Sequence, residues 1–438
     1  MNQSGSVHTR IKAFWRQYAD LPRAVHILCL GTFINRAGAF VLPFMALYLN
    51  ENAELGEQFA GMAIGAFGAG SLAASLVGGH LADRIGRRIV MMGSLIGGAV
   101  ILLVFGSLTS RASIMIGLFG FALVADMYRP AASAMISDLV EPDRRPNAFG
   151  LMYVAINLGF AVGPMIGGVV SQYSFQWLFW GDALTTSIYA AIILFWIRET
   201  LPSASRRHVD SSRPRTGGDS PGGPAPHETP KRTGRFDALS HMLGNRPFVI
   251  FCLSMTLIGM VFHQSITTFP IYLIDLGYTT KDYGFIIAIN GILITVGQLP
   301  LTAMLTRFNR AIVIVIGALL TAIGFGVIGF AGTKFQFAGT VIIWTLGEMM
   351  QSPFSHSIVG DLAPVRFRAR YYGFFMMSFS ISLMIGPPIG SLILEHYGPV
   401  VLWTACFFVG SAASLLILSI WRRIDGRLTP GAEIASES

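Results

Sequence analysis

Runs of about twenty apolar residues, separated by short polar turns, fill most of this chain. A helix needs ~20 predominantly apolar residues to cross the hydrocarbon core of a bilayer. Twelve stretches meet that length: Ala24–Leu49, Gln58–Gly79, Ile89–Leu108, Ala112–Leu139, Asn147–Ser171, Gln176–Ile197, Pro247–Ile274, Tyr283–Leu305, Ala311–Ala331, Phe335–Asp361, Arg370–Leu394 and Pro399–Trp421. One polar segment is long. Glu199–Asn245 is rich in Pro, Gly, Ser and Arg, and Ser203–Arg235 within it is expected to be disordered because such a composition cannot bury a core. The pattern predicts an all-α membrane protein of twelve transmembrane helices. It divides into a tail over residues 1–23, a six-helix bundle over 24–198, a largely disordered linker over 199–245, a second six-helix bundle over 246–422 and a tail over 423–438.

Composition agrees with the pattern. The 438 residues are 53% hydrophobic and 12% charged, with a mean hydropathy of +0.59, whereas soluble domains carry about a quarter charged residues. A net charge of +8 would suit nucleic acid if it were gathered on one face, but the basic residues sit in the turns between spans, so no nucleic-acid partner is expected. An even number of spans puts both termini on one side. Of 31 Lys and Arg residues, 26 fall on that side, 3 opposite (Arg111, Lys281, Lys334) and 2 within spans (Arg36, Arg129). Short cytoplasmic loops carry excess Lys and Arg, so the chain is expected to be multi-pass in the cell inner membrane with both termini cytoplasmic. Residues Met1–Arg23 contain no apolar signal-peptide core. Cys29, Cys252 and Cys406 all lie inside apolar runs, which suits small core residues and neither a disulfide framework nor a metal site.

The two halves repeat each other. At a constant offset of 223 residues the chain matches Gly68/Gly291, Arg84/Arg307, Arg87/Arg310, Pro130/Pro353, Asp138/Asp361, Arg145/Arg368, Gly150/Gly373, Gly163/Gly386, Pro164/Pro387, Gly167/Gly390 and Trp180/Trp403. Leu–Leu coincidences are cheap in an apolar chain; ungapped matches of Pro, Arg and Asp are not.

The turn between the second and third spans reads Gly78-Gly79-His80-Leu81-Ala82-Asp83-Arg84-Ile85-Gly86-Arg87-Arg88. It resembles the loop between helices 2 and 3 of major facilitator superfamily transporters. That resemblance implies two pseudo-symmetric six-helix bundles, the major facilitator fold, with a substrate site between them near the midplane. It also implies that Gly79, Asp83, Arg84, Gly86, Arg87 and Arg88 form a cytoplasmic gate latching the two halves together when the protein faces outward. Topology alone accounts for the arginines as positive-inside charge. The second copy keeps Arg307 and Arg310 and replaces the acid with Thr306. In span five, Gly159, Gly163 and Gly167 recur every four residues beside Pro164 and Gly168. Such a ridge serves close helix packing, and it resembles the antiporter motif of drug–proton exchangers in the same superfamily.

Ionisable residues at a helix centre cost about 2.5–3.5 kcal/mol even on lenient scales, so they mark functional sites. Arg36 lies midway along span one, Asp126 and Arg129 along span four, and Glu348 along span ten, with His263 and Gln264 at similar depth in span seven. These spans open the four three-helix units and, by the resemblance, line the central cavity. Buried ion pairs that lock helices together are the structural alternative. Asp126 and Arg129, three residues apart, share a face and pair. Glu348 has Gln351 and Ser352 at those spacings and no cation in its own helix, so it is the expected proton-loading group. Asp126 is the second acid, and Arg36, Arg129, His263, Gln264 and Gln351 are expected to line the substrate cavity. Asp182 is placed near the outer end of span six as an interfacial or packing contact, and His356 as a packing histidine or a proton relay.

Three readings follow. A proton-driven antiporter exporting drugs or other amphipathic small molecules draws on the gate, the span-five ridge, the embedded acid and an apolar lining of Phe33, Phe40, Phe44, Met255, Met260, Met349 and Met350. A proton-coupled importer of a zwitterionic or anionic solute such as a peptide draws on Phe33-Ile34-Asn35-Arg36 and Gly347-Glu348…Pro353, which are similar to proton-dependent oligopeptide transporters. Asn35 and Arg129 depart from that pattern, standing where an acid and a lysine would be expected. With Glu348 protonated the four midplane charges sum to +1, and with it ionised to zero. A non-transporting membrane sensor would need neither an ionisable cavity nor a gate. No phosphate-binding Gly loop, metal-ligand cluster or nucleophile–base pattern is present, so the chain is expected not to be an enzyme and to use a proton gradient with no cofactor. The expected partners are a small-molecule substrate, protons and membrane lipids, and the protein is expected to be monomeric.

Overall fold

A computed structural model describes residues 18–141, 144–200, 235–364 and 368–425. The expected disorder of Ser203–Arg235 lies, but for Arg235, outside the described residues, as do most of the two tails. Among the described residues twelve helical spans are seen, here labelled α1 to α12. The first six are α1 Arg23–Asn52, α2 Glu57–Ile85, α3 Arg87–Phe105, α4 Arg111–Leu139, α5 Arg145–Val170 and α6 Gln176–Trp196. The second six are α7 Arg246–Asp275, α8 Thr280–Leu305, α9 Arg310–Phe330, α10 Lys334–Leu362, and α11 and α12, one continuous run Arg368–Asp425 that turns at Gly398. The outward surface is apolar, with Ile116, Phe195 and Val296 more than two-thirds exposed, as a bilayer-spanning protein requires. This is a multi-pass membrane protein.

Four helix starts are fixed by side chains that satisfy backbone N–H groups left free at a helix N-terminus. Ser110 caps α4, Asn309 caps α9, and Thr279–Asp282 and Thr333–Gln336 form capping boxes on α8 and α10. The box at Thr279 begins α8 three residues before the apolar run at Tyr283 does. A left-handed turn at Gly86 (φ 112°) separates α2 from α3, a conformation that favours glycine.

Three spans are broken, which the apolar pattern does not reveal. α1 interrupts at Gly38–Phe40, α4 at Met127, and α7 passes through a tight turn over His263–Ile266. The breaks in α1 and α7 fall at neighbouring positions of the repeat, meeting at Phe40 and His263. Each is repaired by side chains. The Val41 N–H, freed in α1, points to Asp182 Oδ2 at 3.5 Å. Ser94 of α3 takes the Tyr128 N–H (3.0 Å) and donates to the Val124 and Ala125 carbonyls at the break in α4. Gln264 donates to the Met260 and Gly386 carbonyls (3.0 and 2.9 Å) and accepts from Thr268.

The two bundles are joined on the face opposite the termini, here the far face. One continuous apolar core there draws on both halves, from Phe40 and Phe67 to Phe269 and Trp403. Phe44 of α1 meets Tyr283 of α8 edge to face at 5.4 Å, Ser171 of α5 donates to Thr280 of α8 at 2.8 Å, and the Gln58 N–H of α2 donates to Glu395 of α11 at 2.8 Å. Toward the terminal face the cores are separate. One is built from residues between Leu21 and Ile197 alone, the other from residues between Met242 and Ile420 alone. The structure is closed on the far face and parted on the terminal face.

Candidate functional site

The turn between α2 and α3 bonds entirely within its own half among the described residues. Arg87 Nε lies 3.0 Å from Asp138 of α4, and its Nη2 lies 3.3 Å from Asp83, which is 70% exposed. Glu199, just past α6, accepts from the backbone N–H groups of Arg87 and Arg88 (3.0 and 3.1 Å) and so holds the start of α3. Arg310 pairs with Asp361 at 2.9 Å in the second half. These are the repeat partners of Arg87 and Asp138, so the fold builds the same ion pair twice. The expected latch between the halves is not engaged in this conformation, because the terminal faces are apart. Arg84 is exposed, and a side chain at Gly79 would meet little around it.

The ridge on α5 is a packing surface toward two helices at once. A side chain at Gly159 or Gly163 would strike Arg36 and Ala37 of α1, and one at Gly167 would strike Phe44. On the other side of α5, Gly168 faces Thr280 and Gly284 of α8, and the Pro164 carbonyl abuts Gly284. Gly386 and Gly390 of α11 lie likewise on Met260 and Gln264 of α7. The ridge therefore sets how closely α1 and α8 approach α5.

Arg36, Asp126 and Arg129 gather inside the first bundle. With Asn35, Tyr128, Asp182 and Thr186 they line a cavity of about 80 Å³. Asp126 pairs with Arg129 at 3.0 Å, as the three-residue spacing predicts, and also accepts a short hydrogen bond from Ser71 of α2. The Arg129 side chain is 57% exposed, which at mid-span demands water rather than lipid around it. Arg36 Nε is buried and has no partner among the described residues. Beneath the cavity the hydroxyls of Thr32, Tyr128 and Tyr189 form a closed triangle of 2.8, 3.0 and 3.0 Å.

Glu348 stands apart from these three. Asn290 of α8 donates to its Oε2 at 2.7 Å and lies 3.1 Å from Thr345. Tyr153 of α5, from the other bundle, lies near Glu348 and Ser352. Glu348 thus sits where α5, α8 and α10 meet, on the seam between the halves, and α5 separates it from Arg36. The four charges, expected to line one central cavity, fall at two places: Arg36, Asp126 and Arg129 share a cavity, and Glu348 lies against Asn290 on the other side of α5.

Several expected cavity residues are used elsewhere. Gln351 donates to Thr321 of α9 and to the Gly347 carbonyl, both at 3.0 Å, so it faces the interior of its own bundle. Gln264 is consumed by the repair of α7, and His263 Nδ1 lies 2.6 Å from the Gly259 carbonyl and 3.4 Å from Ser382. Phe44, Met255, Met349 and Met350 are buried in apolar packing, while Phe40 packs in the shared core and also lines an apolar cavity of about 520 Å³ with Trp177 and Trp180. His356 stacks on Tyr372 and lies 3.1 Å from the Ser352 carbonyl, in keeping with a packing histidine. Asp182 is buried two turns into α6 and not interfacial; it makes a packing contact with Val41 of α1, as one of its two expected roles required, and it also shares the Arg36 cavity, which was not expected. Asn290 and Ser71 gave no sequence signal, since their partners lie on other helices.

The sequence profile of the Major Facilitator Superfamily matches residues 28–350 and 266–437. A Na(+), Li(+), K(+)/H(+) antiporter of Planococcus maritimus is 25% identical over 84% of this chain and 89% of its own length. A multi-drug resistance efflux pump PmrA homolog of Lactococcus lactis is 22% identical over 92% of this chain and 95% of its own. Among solved structures, a POT family transporter in complex with a thioalcohol-conjugated peptide superposes with a TM-score of 0.75, covering 93% of this chain and 99% of that one at 17% identity.

Proposed function

The chain belongs to the major facilitator superfamily, and from that premise we propose that it is a proton-coupled antiporter that exports amphipathic small molecules by alternating access. The observation that carries the reading is Glu348. It is an acid in mid-span on the seam between the bundles, held by the neutral amide of Asn290 and by no cation among the described residues. An acid so placed exchanges a proton without breaking an ion pair, and it lies where relative motion of the halves changes its surroundings. The relatives' names agree on exchange against protons in one case and on drug efflux in another. With the termini in the cytoplasm, as the Lys and Arg distribution supports, the parted terminal face is the inward-facing stage of the cycle. Proton-coupled uptake of a zwitterion is the second reading, favoured by Arg36, which lines the cavity and whose Nε has no partner among the described residues.

Reconstitution into vesicles with an imposed pH gradient, followed by a screen of ethidium, antibiotics and dipeptides, separates the two. Movement of a dye or antibiotic opposite to the proton gradient is expected. Accumulation of dipeptide along it would install the second reading, and no gradient-dependent flux of any compound would remove both.

A further inference from the structure

We propose that Asp182 is a second protonatable group of the transport cycle, and that its charge sets the bend in α1 and with it the closure of the far face. The carboxylate grips both pieces of the broken helix from α6. Its Oδ2 receives the Val41 N–H of the outer piece, and its Oδ1 receives Thr186 Oγ1 at 3.3 Å, which in turn accepts from Asn35 of the inner piece at 2.9 Å. The outer piece, Val41–Leu47, is the part of α1 that closes the far face, where Phe44 meets Tyr283 and the shared core begins. A group that pins both sides of a hinge controls the element beyond it.

Charge enters through the cavity. The ionisable groups facing Asp182 are Arg36 from α1 and Asp126, Tyr128 and Arg129 from α4; α2 and α3 contribute only uncharged residues such as Phe67 and Ser94. With both aspartates ionised the two arginines are balanced, which differs from the count that omits Asp182. Ionised Asp182 attracts Arg36, whose own position is fixed against Gly159 of α5, and accepts at both oxygens. Taking up a proton converts the carboxylate to a carboxylic acid, leaves one positive charge uncompensated and turns one acceptor into a donor. The hinge then loses its grip, and the far face opens.

The inference rests on the proton-coupled reading, and its test needs no substrate, so the two fail separately. Nitroxide labels on Asn52→Cys of α1 and Leu276→Cys at the outer end of α7 report far-face distance; the three native cysteines are buried. The expected result is a shift toward longer distances from alkaline to acidic buffer in the otherwise native protein. Asp182→Asn should show the long-distance distribution at both pH values, and Asp182→Glu, which keeps the charge, should retain the shift. An unchanged pH response in Asp182→Asn, loss of the shift in a folded Asp182→Glu, or no response in the native protein would overturn the proposal.

Discussion

At the scale of single residues, this protein is governed by the cost of leaving polar groups unmatched where no water reaches. Ser94 illustrates the point, since one hydroxyl serves an N–H and two carbonyls at the break in α4. Ser94→Ala is expected to lose about 1–3 kcal/mol through the orphaned backbone groups, seen as a lower thermal midpoint in detergent; an unchanged midpoint would mean that α4 holds its break unaided. Some of this chemistry is legible along the chain. Asp126 and Arg129 pair because three residues bring two side chains to one helix face. Glu348 and Asn290, Asp126 and Ser71, and Asp182 and Val41 pair across helices, and local spacing holds no record of those meetings. Gln351 shows the opposite error: at the helical spacing from Glu348 it shares a flank, yet its amide is drawn to Thr321 on α9.

Elements here are defined by close approach and by where helices give way. The four-residue recurrence of Gly159, Gly163 and Gly167 announced a packing ridge, and the structure places α1 on it. Position matters more than residue type. Gly159→Val would push into Arg36 and Ala37 and is expected to cost about 1–3 kcal/mol by overpacking. Gly150→Val, on the same helix where nothing lies close, should be near neutral in the same thermal assay; equal effects would argue against the ridge as the constraint. The breaks in α1 and α7 do not show in the apolar pattern, although a proline marks each: Pro43 and Pro270 cannot donate back to Ala39 and Ile266, which lie within the interruptions. Gln264 then ties the break in α7 to the Gly386 carbonyl of α11. A hydropathy run records length, not continuity.

Across the whole molecule, the ungapped offset of 223 residues proves to be structural. Arg87–Asp138 and Arg310–Asp361 repeat as ion pairs, Gly68 and Gly291 both meet the opposite bundle, and α1 and α7 break at neighbouring positions. The ionisable residues do not repeat: Arg36 corresponds to Gly259, Asp126 to Met349, and Glu348 to Ala125. A symmetric frame therefore carries an asymmetric pair of sites, one inside the first bundle and one on the seam, with α5 between them. The parting of the terminal faces beside a sealed far face is what a two-state cycle needs as one of its end points. The most direct test follows proton movement itself in everted vesicles that hold the protein and an acidic interior. Adding ethidium should partly collapse the pH gradient, read as recovery of quenched acridine orange fluorescence, and Glu348→Gln should abolish that recovery while remaining folded. Undiminished recovery in the Glu348→Gln vesicles, or ethidium accumulation that ignores the gradient, would contradict the account.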